Sequence, residues 1–493
     1  MPDWYKELEA LFTNRVGKGE IAGTAYDTAW VASIPDPEHP DRPAFPQTLE
    51  WLRLHQHSEG SWGAEVQYSH DRILSTLASI LALSHWCHDE WADYQIEAGI
   101  RSIWRQTSGL QADPYETIGF DLLMPMLLDR AQVKNFNLPY SFFDHCRTQR
   151  EAKLTMIPPE LRYSRYVTIA FSLELWGDEV DAVKLNGDLQ EDNGSIACSP
   201  SATSYFVQRT RNERAWNYIE RVVLESNGAI PMIAPADIYE RAWCLYNLSL
   251  VEESFSSQAM DCIKSLTTLW KPTGVSLGSS YSVPDFDSTV MVYLALARAG
   301  LEPGPKVFER FELDDHFWCY RHERHVSPSV HAHLVDALKV CRPFPGQGRM
   351  LAKAIGFLKR SQVSKSFWFD KWHASPYYTT AHAIIAALDT EPDLIQEPIK
   401  WLIQTQRPDG SWGYLAGTAE ETAYALQALI FCHKHKKANI SADLIKQATQ
   451  YLETSTERRA THYKPLWIGK TLYYSTWVVH SAVLSALAMT QRM

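Results

Sequence analysis

The chain contains no run of 18 or so apolar residues, so it offers no candidate for a bilayer-spanning helix. Its eight cysteines stand singly, with no CxxC pair and no zinc-finger spacing. That excludes a disulfide framework and reads as buried thiols of a reduced intracellular protein. Lys and Arg number 47 against 58 Asp and Glu, and no basic stripe forms. The formal net charge of −11 excludes nucleic acid as the main partner. Alternating strand patterns are nearly absent. The start, Met1-Pro2-Asp3-Trp4-Tyr5-Lys6-Glu7, is neither a secretory signal nor an Arg-rich, acid-poor transit peptide. A cytoplasmic location is the expectation, with no stable membrane insertion.

What fills the sequence instead is apolar residues at helical spacing, as in Leu74-Leu77-Ile80-Leu81 and Ala423-Leu426-Leu429-Ile430, punctuated by Gly, Pro and Asp turns. The 493 residues suggest two or three domains. Glu59-Gly60-Ser61-Trp62-Gly63 and Asp409-Gly410-Ser411-Trp412-Gly413 repeat, with a looser Asp192-Asn193-Gly194-Ser195 between them. Such recurrence predicts stacked helical hairpins, as an α/α barrel or a solenoid, with Trp62 and Trp412 locking adjacent helices.

The segment Ser282-Val283-Pro284-Asp285-Phe286-Asp287-Ser288-Thr289-Val290 places two carboxylates at the head of an apolar run. Helix capping is the ordinary use of Asp at such a place, and the helix dipole there favours the ionised form. The functional alternative keeps one carboxyl protonated by burial and by its neighbour's charge. A strong buried acid suits a substrate without a good basic atom, such as an isolated alkene. Protonating an alkene makes a carbocation, which calls for a dry, aromatic-lined cavity. Aromatics make up 12% of the chain.

Three further motifs carry a family resemblance over nearly the whole chain. Gly23-Thr24-Ala25-Tyr26-Asp27-Thr28-Ala29-Trp30, Gly194-Ser195-Ile196-Ala197-Cys198-Ser199-Pro200-Ser201-Ala202-Thr203 and Trp467-Ile468-Gly469-Lys470-Thr471-Leu472-Tyr473 resemble, in order, signature segments of the class II diterpene cyclases. Length and Lys371-Trp372-His373…Tyr377-Tyr378-Thr379-Thr380-Ala381-His382 are similar to the bacterial halimadienyl, kolavenyl and terpentedienyl diphosphate synthases.

The resemblance implies an all-α fold of two α/α-barrel domains in the βγ arrangement. The β domain would comprise residues 1–43 and 246–493, and the inserted γ domain residues 44–245. It implies protonation-initiated cyclisation of geranylgeranyl diphosphate with the diphosphate retained. By position, Asp287 is the general acid and Asp285 its partner. The family's DxDD reads Asp285-Phe286-Asp287-Ser288 here, so Ser288 replaces the third carboxylate. The resemblance also implies a polar neighbour that orients the acid, assigned to His331 first, then His333, with His382 a weaker candidate. Diphosphate binding falls to Lys153, Lys371 and Lys470. Magnesium is expected as cofactor, on Asp113, Glu116 and Asp121 around Gly119-Phe120-Asp121. Trp318, Trp372 and Tyr378 are expected to stabilise cations.

Asp314-Asp315-His316-Phe317-Trp318 lacks the last carboxylate of an ionising DDxxD/E cluster, so a further enzyme would process the cyclised product. Labdane-forming relatives carry a His where this chain has Phe171, in Ala170-Phe171-Ser172-Leu173-Glu174. That change implies shifts before deprotonation and a rearranged product, kolavenyl (clerodane) first and halimadienyl next. The alternatives are a drimenyl diphosphate synthase using farnesyl diphosphate, a zinc-dependent prenyltransferase β-subunit and a non-enzymatic helical scaffold. A squalene-type cyclase is disfavoured, because it carries more repeats and needs no diphosphate site.

Overall fold

The computed structural model describes residues 2–180, 182–185, 187–252, 255–301 and 303–493. Six helices form a closed inner ring: Asp237–Ser249, Phe286–Arg298, Pro328–Val340, Pro376–Ala387, Ala419–Lys434 and Thr476–Gln491. Each packs on the next, and the last returns to the first. Outside them lie Trp4–Asn14, Ser257–Leu269, Gln347–Ser361, Pro392–Gln404 and Ala442–Thr454. A second closed ring comprises Ala25–Ala32, Ser69–Trp86, Phe120–Val133, the 3-10 segment Thr168–Trp176 and Pro200–Thr210. Its outer layer is Pro46–Leu54, Glu90–Gln106, Asp144–Thr155 and Glu213–Glu225. The all-α double barrel is therefore present.

Inner and outer helices differ in pattern for a physical reason. Pro328–Val340 is buried continuously from Pro328 to Leu338, because neighbours surround it. Glu213–Glu225 buries only Ala215, Tyr218, Ile219, Val222 and Val223, the one-sided stripe of a surface helix. Four inner helices start at a residue whose side chain accepts from the first turn: Asp285, Ser327, Ser375 and Thr418. These caps satisfy backbone N–H groups that the helix cannot.

The Gly-Ser-Trp turns lock each hairpin, but by a hydrogen bond rather than by stacking alone. Trp62 Nε1–H donates to Leu52 O and Trp412 Nε1–H to Leu402 O, both at 2.7 Å, near the end of the preceding outer helix. Trp368 makes the same bond to Leu358 O at 2.8 Å from a segment without the Gly-Ser pair. Gly60 and Gly410 adopt φ of +97° and +87°. A Cβ at either would stand 2.5 Å from the carbonyl oxygen of Ala98 or Gln447, on the following outer helix.

The division between barrels differs from the expected one at both junctions. Ala25–Ala32, placed with residues 1–43, packs on Pro46–Leu54, Ser69–Trp86 and Pro200–Thr210 of the second ring. Asp237–Ser249 spans the expected boundary at 245 yet packs on Phe286–Arg298 and Thr476–Gln491 of the first. The hairpin Trp467–Ile468/Leu472–Tyr473 ties the barrels together: Leu472 N–H donates to Asp71 Oδ1 at 3.0 Å, and Lys470 crosses into the second barrel. Among the described residues no helix is long and apolar enough to cross a membrane, and all eight cysteines are free thiols.

Candidate active site

A cavity of about 330 Å³ lies between the barrels. Asp285, Asp287 and Ser288 enter it from the start of Phe286–Arg298, Phe171 from the second barrel, and Trp243, Tyr239, Trp372 and Trp467 as aromatic wall. Asp285 caps the helix and lines the cavity at once: its Oδ1 accepts from Ser288 N–H at 2.6 Å, while its buried Oδ2 has no partner among the described residues. Burial pushes its carboxyl up to about 7, with the Asp287 charge adding and the Ser288 amide opposing.

Asp287 is oriented from behind. Its Oδ1 lies 2.6 Å from His333 Nδ1, and His333 Nε2 lies 2.8 Å from His382 Nδ1 and 3.5 Å from the Tyr378 hydroxyl. Burial, then the neighbouring His333 and His373, hold His382 well below the usual imidazole range, so it is neutral. Its Nε2 has no partner among the described residues. Trp243 Nε1–H donates to Tyr378 OH at 2.8 Å.

His331 does not reach the acid. Phe317 N–H donates to its Nε2 at 3.0 Å, so its proton sits on Nδ1 and is donated to Ser327 O at 2.8 Å. Its ring stacks on Phe357, and burial lowers it to about 3. Residues two apart on a helix point about 200° away from each other, so only one of His331 and His333 could face Asp287.

Of the expected diphosphate ligands, Lys153 and Lys371 line the cavity and Lys470 does not. Lys470 is fully buried, 2.6 Å from Glu174 Oε1 and bonded to the Ser199 and Ser201 hydroxyls, with Tyr26 OH also on Glu174. It is the joint between three signature motifs and has no valence left for a ligand. Lys153 stands 3.6 Å from Asp121 and 3.8 Å from Glu116, and Lys371 pairs with Glu323. Trp318 packs on Phe311 outside the cavity lining, and Tyr378 lies behind the acid rather than on the wall, so neither faces the cavity as expected. Phe171 lies over the Lys470 ammonium at 4.6 Å and Trp372 over Lys371 at 4.5 Å.

The segment Tyr320 to His325 lies outside the sequence motifs, yet its Arg321, Glu323, Arg324 and His325 all line the cavity. Arg324 bridges Glu116 and Asp121, the latter at 2.7 Å. The density of charge in Arg321-His322-Glu323-Arg324-His325 was the available signal. Trp467, the first residue of the C-terminal signature segment, joins them on the lining.

The three expected magnesium ligands do not fit a resident ion as a set. Asp113 turns to His70, accepting from its amide at 2.9 Å and lying 2.7 Å from its Nδ1, while Glu116 and Asp121 already carry Arg324 and Lys153 as counter-charges. Ligand atoms of Asp121, His145 and Cys146 come within 4.8 Å of one another beside a second cavity, but a cation there would meet the two positive charges on Asp121.

A family model described as the squalene-hopene cyclase C-terminal domain matches residues 325–491. A type B diterpene cyclase of Mycobacterium tuberculosis (strain ATCC 25618 / H37Rv) is 36% identical, the alignment covering 96% of each chain. The chloroplastic syn-copalyl diphosphate synthase of Oryza sativa subsp. japonica is 31% identical across 72% of this chain and 47% of its own, so the chain spans about half the length of that plant relative. The ent-copalyl diphosphate synthase from Streptomyces platensis shares the fold, with TM-score 0.83 at 24% identity, over 99% of this chain and 100% of that one. Barrel pair, acid segment and near full-length similarity agree: the chain belongs to the class II diterpene cyclases, enzymes of intramolecular cyclisation.

Proposed function

We propose that the chain cyclises geranylgeranyl diphosphate to a rearranged bicyclic diterpenyl diphosphate, starting with proton transfer from Asp287 to the terminal alkene. The observation that carries this reading is the Asp287 carboxyl held against an aromatic cavity by His333, 2.6 Å away. The relative from Mycobacterium tuberculosis is called a diterpene cyclase, and the ent-copalyl diphosphate synthase from Arabidopsis thaliana was solved with an aza-dihydrogeranylgeranyl thiolodiphosphate.

The pair Asp285/Asp287 keeps a proton near neutrality because burial opposes two adjacent charges. Its delivery runs through Asp287, the member that His333 orients. As the proton leaves, His333 Nδ1–H donates to the Asp287 Oδ1 that becomes anionic, and His333 Nε2 accepts from His382 or Tyr378. The remaining alkenes close two rings, and the positive charge moves among the faces of Trp243, Trp372, Trp467 and Phe171. Lys153 and Lys371 exchange their carboxylate partners for the diphosphate, which stays on the product. Magnesium enters this proposal only as a counter-ion arriving on the diphosphate.

Phe171 supports a rearranged skeleton: its ring accepts no proton, so hydride and methyl shifts precede deprotonation. The kolavenyl (clerodane) product is favoured and the halimadienyl product is next. The product then passes to an enzyme that removes or replaces the diphosphate.

The test incubates protein and magnesium separately with geranylgeranyl and farnesyl diphosphates, then identifies dephosphorylated products by mass spectrometry and NMR, alongside Asp287→Ala. A C20 bicyclic alcohol that vanishes in the variant supports the reading, and its methyl positions decide clerodane against halimane. Cyclisation of the C15 substrate alone moves the assignment to a drimenyl synthase. No cyclisation of either overturns it.

A further inference from the structure

Behind the aromatic wall lies a carboxylate that the proposed reaction does not use. Glu420, on the first turn of Ala419–Lys434, is 1% exposed. Its Oε1 accepts the Trp467 indole N–H at 2.8 Å, the Tyr424 hydroxyl at 3.3 Å and His373 Nε2–H at 3.3 Å. Its Oε2 is buried without a partner among the described residues. His373 is the ion-pair candidate for Glu420 among the described residues, and its Nδ1 lies 3.1 Å from both the amide nitrogen and the carbonyl oxygen of Ser375.

A buried carboxylate without a Lys or Arg partner is costly, and none pairs with Glu420 among the described residues. The cost falls when a cation comes near, and the cavity is where one would form. Trp467, Tyr239 and Tyr473 stand on its lining. Burial first, then the Glu420 charge, raises the Tyr473 phenol, which locates the carboxylate close behind that wall. A negative oxygen on the indole N–H pushes electron density into the ring and strengthens the face a cation meets.

We propose that Glu420 is the fixed counter-charge of the migrating carbocation, a positioning residue that acts through Trp467. It holds positive charge in the cavity long enough for shifts to precede deprotonation. The proposal rests on the cyclase reading above.

The experiment measures binding of two analogues by the full chain: geranylgeranyl thiolodiphosphate, which is neutral in its hydrocarbon part, and an aza analogue with an ammonium in place of the cationic carbon. Glu420→Gln keeps an acceptor for the indole and removes the charge, while Trp467→Phe keeps a ring and removes the link, so the idea stays testable if one variant fails to fold. Glu420→Gln should bind the neutral analogue within about twofold of wild type and the aza analogue roughly tenfold more weakly, the size of a desolvated cation–π contact, while Trp467→Phe, which also trims the cavity wall, should weaken the aza analogue more than the neutral one. The kcat should fall with KM kept, and less rearranged products should appear. Equal weakening of both analogues, as from a purely structural role, overturns the proposal, as does no weakening of either. Failure of the wild-type protein to bind either analogue overturns the cyclase reading and this inference with it.

Discussion

His333 Nδ1 lies 2.6 Å from Asp287 Oδ1, and the imidazole passes the contact on to His382 at 2.8 Å. The acid is thus the end of a buried hydrogen-bond chain, not an isolated carboxyl.

Asp287→Asn should reduce cyclisation by about two to four orders of magnitude, the range of general-acid contributions. His333→Ala should lower kcat and shift the pH profile. His331→Ala should leave kcat near wild type and lower the unfolding temperature, because its hydrogen bonds tie Phe317 to Ser327. Single-turnover kinetics with thermal unfolding of all three variants checks the assignment.

Asp285 makes stability depend on pH with an unusual sign. Its folded value of about 7 lies above its unfolded value of 3.8. The folded state therefore binds more protons between those limits, and stability falls as pH rises through that window. Asp285→Asn keeps a capping side chain and removes the effect, so its stability relative to wild type should grow from pH 4 to pH 8 by as much as about 4 kcal/mol. Chemical unfolding of both proteins across that range measures it.

Lys470→Met should damage the fold rather than substrate binding. It strands Glu174 in a fully buried site, a change that costs roughly 3–5 kcal/mol. Denaturant unfolding should show the loss, and KM of the surviving folded protein should stay near wild type. A raised KM at full stability would return Lys470 to the diphosphate site.

Gly410→Ala should destabilise by roughly 1–3 kcal/mol, since its φ of +87° and the Gln447 carbonyl both exclude a Cβ. Gly348, with nothing within 4 Å of an added Cβ, is the control, and thermal unfolding separates the two.

Helical periodicity and the Gly-Ser-Trp turns made the stacked hairpins legible, because an inner helix must be apolar all round and each turn must meet a neighbouring backbone closely. The lock at Trp368 was not legible, since its indole bond to Leu358 needs no glycine before it. The acid pair was legible as two carboxylates entering an apolar helix. Its orienting histidine was not, because His331 and His333 differ only in which way each faces from one helix.

The sequence by itself determined the elements and the chemistry they can carry, since period, caps and residue type are local properties. Tertiary structure alone decided which charged groups are free to act. Lys153 and Lys470 read alike as lysines in motifs, yet Lys153 opens on the cavity while Lys470 is sealed against Glu174. Glu420 entered view only because folding buried it behind Trp467. A charge becomes a ligand, a joint or a counter-charge according to what surrounds it, and the chain fixes those surroundings only when both barrels have closed.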